Sequence, residues 1–265
     1  MWKASEDMDL ALNRDLARGY KSASQIARRV TEGWFEERMY CPACPSQRLH
    51  RTQDNTRVVD FVCPSCAAEY QLKAKSSALG RKVRDAAYAP MMRRAERNRS
   101  PHFAFLQYDR REWRVRRLLL VPGHFITPAT IERCAPLSDS ARRAGWVGCN
   151  ILLENVGEDG RLLVVDDHGV QPPTAVRRKW ARFSWLADFE DEKADVRGWT
   201  LDVLRCVRTF GGRAFNTRDI YEFEPELARL HPNNNTIPDQ IRKQLQILRD
   251  RGIVRFLGKG RYVAE

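Results

Sequence analysis

The chain has 265 residues, long enough for one large domain or two ordinary ones around a buried core. Its formal net charge of +12 points to a polyanionic partner. Apolar runs such as Leu118 to Val121 are far too short to span a bilayer, and the start from Met1 to Leu10 has no apolar core and is expected to be no signal peptide. Seven cysteines, an odd number with four in metal-ligand spacing, suit a reducing cytoplasm better than a disulfide framework.

In chain order, residues 20 to 38 read as an amphipathic helix. Ser22 or Ser24 is placed to cap it, and Ile26, Val30, Trp34 and Phe35 recur at helical spacing. Next come two Cys-x-x-Cys pairs, Cys41–Cys44 and Cys63–Cys66, with 18 residues between them. Four thiolates at this spacing are expected to fill the four positions of a structural zinc ion. Arg57 to Val62 and Ala68 to Ala74 read as paired strands, so the second cysteine pair falls at the tip of a hairpin. Asp85 to Arg97 reads as a helix, and His102 to Tyr108 and Val115 to Val121 as core strands. Glu154 to Asp167 is an apolar segment that ends in a turn. Pro172-Pro173 and the charged stretch Glu190 to Lys193 suggest a linker around 170–195. The left-over Cys134, Cys149 and Cys206 read as buried packing residues.

The last seventy or so residues read as a second unit. Thr200 to Thr209 forms a first helix, Gly211-Gly212 a turn and Ala214-Phe215 a short strand. Thr217 caps a second helix from Arg218 to Leu230, and Asn233 to Asn235 lead into a third. There Ile237, Ile241, Leu245 and Leu248 share one face, while Asp239, Arg242, Lys243 and Gln246 share the other. Val254 to Leu257 and Arg261 to Val263 flank Gly258-Lys259-Gly260 as a hairpin with a basic tip. Three helices and a basic hairpin make a winged helix, whose third helix enters the major groove of DNA. Arg242, Lys243, Gln246, Lys259 and Arg261 are the expected DNA contacts. A protein–protein module of the same fold is the alternative.

The hairpin carries the candidate chemistry. Residues two apart on a strand share a face, so Gln71 and Lys73 project together, and Asp60 on the preceding strand can meet them across the ladder. Phosphodiester hydrolysis needs a divalent metal on oxygen ligands, an activated water and positive charge for the transition state. Asp60 offers a carboxylate, Gln71 an amide oxygen and Leu72 its main-chain carbonyl to a magnesium ion. Lys73 can orient the water and stabilise the phosphorane, and Glu32 can add an acidic contact from the first helix. Taken alone, Asp-x10-Gln-x-Lys recurs by chance in many chains; beside a zinc hairpin and a basic winged helix it reads as a site. Five scattered histidines pair with no Cys or Ser at nucleophile spacing, which argues against a Cys/His hydrolase.

These residues resemble the PD-(D/E)XK nuclease superfamily and, more closely, the DpnI-like methyl-directed restriction endonucleases. The resemblance covers nearly the whole chain after the first twenty residues. It runs through Tyr20-Lys21-Ser22-x-Ser24-Gln25, Thr31-Glu32-x-Trp34, Val59-Asp60-Phe61, Leu72-Lys73 and Ala87-Tyr88-Ala89-x-Met91-Met92. The longest blocks are Ala141 to Asn150 (Ala-Arg-Arg-Ala-Gly-Trp-Val-Gly-Cys-Asn) and Gln244 to Asp250. The resemblance implies an α/β PD-(D/E)XK nuclease core with an inserted four-cysteine zinc site over residues 1–190, then a winged-helix domain over 191–265. It also implies cleavage of double-stranded DNA at GATC carrying N6-methyladenine; with the oxygen ligands above, the cleavage is expected to need magnesium, and the enzyme is expected to be cytoplasmic and monomeric. The block around Trp146 reads either as core or as a DNA-facing loop in which Arg142, Arg143, Trp146 and Asn150 meet the duplex. Two positions depart from the pattern. Gln71 stands where the family has an acid, and Val59 where the superfamily name has Pro; a Gln-x-Lys variant is similar to that of the Mrr-like nucleases. A non-catalytic zinc-containing winged-helix regulator and a repair nuclease indifferent to methylation are the alternatives.

Overall fold

The structure is a computed structural model that describes residues 8–53, 58–189 and 194–265. Met1 to Asp7, the expected strand start at Arg57 and the charged stretch Glu190 to Lys193 lie outside the described residues. The chain divides into two compact units, the first ending at Asp188 and the second beginning at Phe189.

In the first unit α1 (Ala23–Arg38) packs its apolar stripe, with Val30, Trp34 and Phe35 buried. Ser22 sits at its N-cap, but its hydroxyl bonds the Ser24 hydroxyl (2.9 Å) and makes no capping bond to the helix backbone. Seven strands form the main sheet: β1 (His50–Arg51), β2 (Phe61–Val62), β3 (Glu69–Lys75), β5 (His102–Asp109), β6 (Arg114–Val121), β9 (Leu162–Asp166) and β10 (Gly169–Val170), in that spatial order. The β3–β5 pair is parallel and every other pair antiparallel. Strand β5 is central and buried on both faces, hence its almost unbroken apolar run. Ala104, Leu106 and Tyr108 join the cluster of Val30, Phe35, Phe61 and Tyr70. Phe103 and Phe105 alternate with them and stack on each other, centroids 5.5 Å apart.

Two expectations for this unit fail. The segment from Asp85 is not helical at first. Lys82 to Ala87 form β4, paired with β8 (Gly148–Leu152), which pairs in turn with β7 (Ile131–Arg133) in a separate three-stranded sheet. Val83 and Asp85 point inward and Lys82 and Arg84 outward, a period of two. A buried aspartate in the inward row hid that period. Helix α2 (Tyr88–Glu96) begins only afterwards. The expected linker also holds structure: α3 (Pro173–Ala181) starts on Pro173, which is tolerated in a first helical turn, and buries Val176 and Trp180.

In the second unit α4 (Ala194–Arg208) and α7 (Ile237–Asp250) pack together, joined by a buried hydrogen bond between the Thr200 hydroxyl and Gln244 Oε1 (2.7 Å). Strand β11 (Phe215–Asn216) leads into α5 (Thr217–Tyr221) and α6 (Glu224–Leu230). The expected single helix is broken before Pro225, which cannot sit in a helix interior. Its cap is Asn216 rather than Thr217: the Asn216 side chain accepts from the N–H groups of Arg218 and Asp219, and Asp219 accepts in return from the Asn216 N–H. Strands β12 (Val254–Gly258) and β13 (Arg261–Ala264) form the wing, with Lys259 at its tip in the left-handed region (φ 49°). On α7 Ile237, Ile241, Leu245 and Leu248 are buried, while Arg242, Lys243 and Gln246 are exposed. Among the left-over cysteines, Cys149 and Cys206 are buried and Cys134 is half-buried.

The four zinc-spaced thiols converge, all within 4.8 Å of one another. Cys41 Sγ lies 3.7 Å from Cys66 Sγ, and Cys44 Sγ 3.5 Å from Cys63 Sγ. Zinc–sulfur bonds of about 2.3 Å in a tetrahedron place sulfur atoms about 3.8 Å apart. The cluster therefore fits a structural zinc ion with all four positions taken and none left for water. Cys41 and Cys44 follow α1, and Cys63 and Cys66 turn β2 into β3, so a zinc ion held there would tie helix to hairpin. In small peptides such binding supplies roughly 10–16 kcal/mol of folding energy. Elemental analysis of purified protein should find about one zinc per chain. Cys63→Ala should lose the metal and unfold at a lower temperature than wild type. An unchanged unfolding midpoint after complete zinc removal would overturn this assignment.

Candidate active site

The hairpin register sets the site. Phe61 pairs with Tyr70 and Val62 with Glu69. The Asp60 N–H donates to the Tyr70 carbonyl (2.9 Å), which extends the pairing and brings Asp60 to Gln71. Tyr70 and Leu72 belong to the core cluster, so Gln71, Lys73 and Lys75 lie on the other face of β3. A cleft of about 750 Å³ opens at the C-terminal half of β3, where Leu72, Lys73, Ala74 and Lys75 all line it. It is walled by Glu32 and Arg28 of α1, Asp60, Leu72 and Lys73 of the hairpin, and Lys82 and Arg84 of β4.

Asp60 Oδ2 accepts the Leu72 N–H at 2.8 Å. Burial pushes the Asp60 carboxyl above the ordinary carboxylate range, and the Leu72 N–H and the Lys73 charge pull back only part of the way. Gln71 is buried and does not line the cleft wall; its Oε1 has no hydrogen-bond partner among the described residues. An orphaned amide oxygen beside a desolvated carboxylate is a donor set suited to a hard divalent cation. Glu32 is engaged from both sides: Arg28 Nε lies 2.7 Å from its Oε1, and Arg51 Nη2 lies 2.9 Å from its Oε2. It contributes negative potential near Asp60 rather than a free oxygen.

Lys73 meets a group that sequence reasoning missed. Its Nζ lies 2.6 Å from Oδ1 of Asp85, whose side chain is wholly excluded from solvent. The overlooked signal is the alternation Lys82-Val83-Arg84-Asp85, which puts Asp85 in a buried row.

The Trp146 segment is a tight loop before β8. Trp146 N–H donates to the Arg143 carbonyl (3.1 Å), and the Leu137 N–H donates to the Trp146 carbonyl (2.9 Å). The Arg143 guanidinium lies 4.6 Å from the centre of the Trp146 ring. The indole covers Gly148, where an added Cβ would fall 2.7 Å from ring carbon Cζ3. Trp146 is half-buried and Arg142 and Arg143 are exposed, so this ring is an anchored surface group rather than core. Asn150 is engaged differently: its Nδ2 donates to Glu132 Oε2 (2.6 Å), which also pairs with Lys82 (3.0 Å).

In the second unit Arg242 is held by Asp239 and by the Tyr221 hydroxyl (2.7 Å). Lys243, Gln246, Lys259 and Arg261 are exposed. These residues come from α7 and the wing, the two elements a winged helix presents to DNA. No helix among the described residues is long and apolar enough to cross a membrane.

Comparison with protein families returns two matches. The DpnI model, described as the Dam-replacing family, matches residues 8–189. The DpnI_C model, described as the Dam-replacing HTH domain, matches residues 195–264. The first alone spans well over half of the chain and contains the zinc cluster and the cleft, and the second contains α7 and the wing. The chain belongs to the DpnI, Dam-replacing family.

Proposed function

We propose that this protein is a magnesium-dependent, methyl-directed restriction endonuclease that hydrolyses double-stranded DNA at GATC sites carrying N6-methyladenine. The coarser part of that reading, a DNA-binding restriction endonuclease, follows from the family. One observation supports the chemistry: Asp60 and Lys73 line a cleft edged with basic side chains, and the Gln71 oxygen, buried between them on the hairpin, has no hydrogen-bond partner among the described residues. Asp60, Gln71 and the Leu72 carbonyl would hold the magnesium ion. When bound, the ion supplies charge neutralisation at the scissile phosphate and a more acidic water. Lys73 contributes fixed positive charge where the phosphorane develops. Arg28, Lys82 and Arg84 line the approach and draw the phosphate backbone in. Arg142, Arg143 and Trp146 form the reading loop in the first unit, and Lys243, Gln246, Lys259 and Arg261 serve the second. The protein works as a monomer in the cytoplasm.

Three experiments test this reading. Methylated plasmid should be cut in the presence of magnesium and left intact with chelator, while unmethylated plasmid is barely cut. Cutting both equally would remove the methyl-directed part and spare the nuclease. No cutting under any divalent metal would favour a binding-only regulator.

A neutral amide holds magnesium more weakly than a carboxylate, because it brings no charge to offset the dehydration of the ion. Gln71→Glu should therefore keep or raise cleavage at low magnesium, and Gln71→Ala should lower it. A dead Gln71→Glu beside a normal Gln71→Ala would show the ligand assignment to be wrong.

In the full chain, Lys243→Ala with Lys259→Ala should weaken binding to any duplex. The slope of log affinity against log salt should become shallower by about 0.9 for each phosphate that is no longer neutralised. An unchanged slope would argue that α7 and the wing do not touch DNA.

A further inference from the structure

We infer that Asp85 is a positioning residue that holds the Lys73 ammonium at its working place in the cleft. The inference rests on the reading of Lys73 as a catalytic group. The salt bridge joins two sheets: Lys73 stands on β3 of the main sheet, and Asp85 on β4 of the three-stranded one. Lysine has four side-chain torsions, and only a fixed partner can choose one of its many rotamers before substrate arrives.

The location of Asp85 makes it such a partner. Strand β4 pairs with β8 through Arg84 opposite Asn150 and Ala87 opposite Gly148, with a register shift between them. Asp85 lies within that irregularity, the kind of feature that re-aims a side chain next to an active site. Its Oδ2 lies 3.9 Å from Cys149 Sγ, and the Cys149 thiol also donates to the Ala86 carbonyl (3.4 Å). Burial, and next the Asp85 charge, push that thiol up to about 12, so the sulfur faces the carboxylate as a neutral group. The carboxylate is thus embedded beside two strands, with Oδ2 towards Cys149 and Oδ1 on the Lys73 ammonium.

The other acids nearby are engaged elsewhere. Asp60 takes the Leu72 N–H, and Glu32 pairs with Arg28 and Arg51. Among the described residues Asp85 is the carboxylate that contacts Lys73. A structural role is poorly served by this arrangement. The β4–β8 ladder is already held by its backbone pairing, and a buried ion pair is a weak source of net stability. Fixing a lysine at a reacting phosphate is a use that justifies a fully desolvated aspartate.

The test is single-turnover cleavage of a methylated GATC duplex at saturating enzyme and magnesium, run beside duplex-binding measurements. Asp85→Asn keeps the shape and removes the charge. It should slow cleavage by at least about tenfold, a factor worth about 1.4 kcal/mol in the barrier, while duplex affinity stays within about twofold. Asp85→Glu, which restores the charge, should recover part of the rate. Cleavage by Asp85→Asn at the wild-type rate, or a loss confined to affinity, would overturn the inference. Lys73→Ala run in parallel separates the two levels. If it cuts like wild type, the catalytic reading of Lys73 falls and the inference with it. If it is inactive while Asp85→Asn cuts at full rate, only the inference falls. A second measurement needs no variant at Asp85: in the wild-type chain the Lys73 ammonium should give a resolved, solvent-protected nitrogen–proton resonance. A Lys73 signal averaged with those of surface lysines would overturn the inference equally.

Discussion

The register of one hairpin governs the rest of this molecule. Phe61 and Tyr70 face each other across β2 and β3, both buried, and Phe61 packs against Phe35 of α1 with centroids 4.9 Å apart. A slip of one residue would turn Tyr70 out of the core and carry Gln71 and Lys73 away from Asp60. Apolar packing reaches only the start of the turn Cys-Pro-Ser-Cys, where Cys63 is buried with the core while Pro64, Ser65 and Cys66 are exposed. The thiol cluster takes over where the core ends. Tyr70 links the two devices, since its hydroxyl sits 3.2 Å from Cys41 Sγ while its ring belongs to the core. Zinc cluster and cleft are therefore two ends of one element.

The electrostatics of the cleft show why such a frame is needed. Its acidic groups, and the buried Asp85 behind Lys73, have named partners: Arg28 and Arg51 on Glu32, a main-chain N–H on Asp60, Lys73 on Asp85. Asp60 remains the costly one, because burial raises its carboxyl. A raised acid favours the fold below its unfolded value, and that contribution is lost as pH rises towards its folded value. Once ionised, the carboxylate is thus a local destabilisation that a bound cation would relieve. The orphaned Gln71 oxygen is a second such cost. Both sit on the hairpin that the core packs and the four-cysteine cluster closes.

How much of this was legible in the chain depends on what each signal required. The zinc set needed only spacing, and the helix Ile237–Asp250 and its wing needed only period and turn residues, so all three were readable. Strand Lys82–Ala87 was not, because recognising it meant treating Asp85 as an inward residue. A charged side chain enters a buried row only when a partner from elsewhere in the fold meets it. That partner, Lys73, lies in another sheet, so the pairing is a fact of tertiary structure. Helix Pro173–Ala181 was missed because two prolines read as a break, although one of them opens the helix. Asn150 was read as a DNA contact from its place in a block, whereas its side chain is bonded to Glu132.

The Trp146 loop bears on the hardest demand of the proposed function, telling a methylated adenine from an unmethylated one. The N6-methyl lies in the major groove, one on each strand of a palindromic site. Burying a methyl is worth about 0.8 kcal/mol, so two of them give only about fifteen-fold discrimination by apolar transfer. Strict selection needs a further penalty on the unmethylated duplex. The structure supplies a surface on which one can be built. The half-buried Trp146 ring covers Gly148 and carries the Arg143 guanidinium over its face, in a loop rich in charge. A rigid apolar edge punishes the water that a missing methyl leaves behind, which is discrimination by a badly solvated gap rather than by an added contact. The same loop runs directly into β8, the strand that pairs with the one carrying Asp85. In this fold the Trp146 loop leads into the strand next to the one that carries Asp85, the ion-pair partner of Lys73.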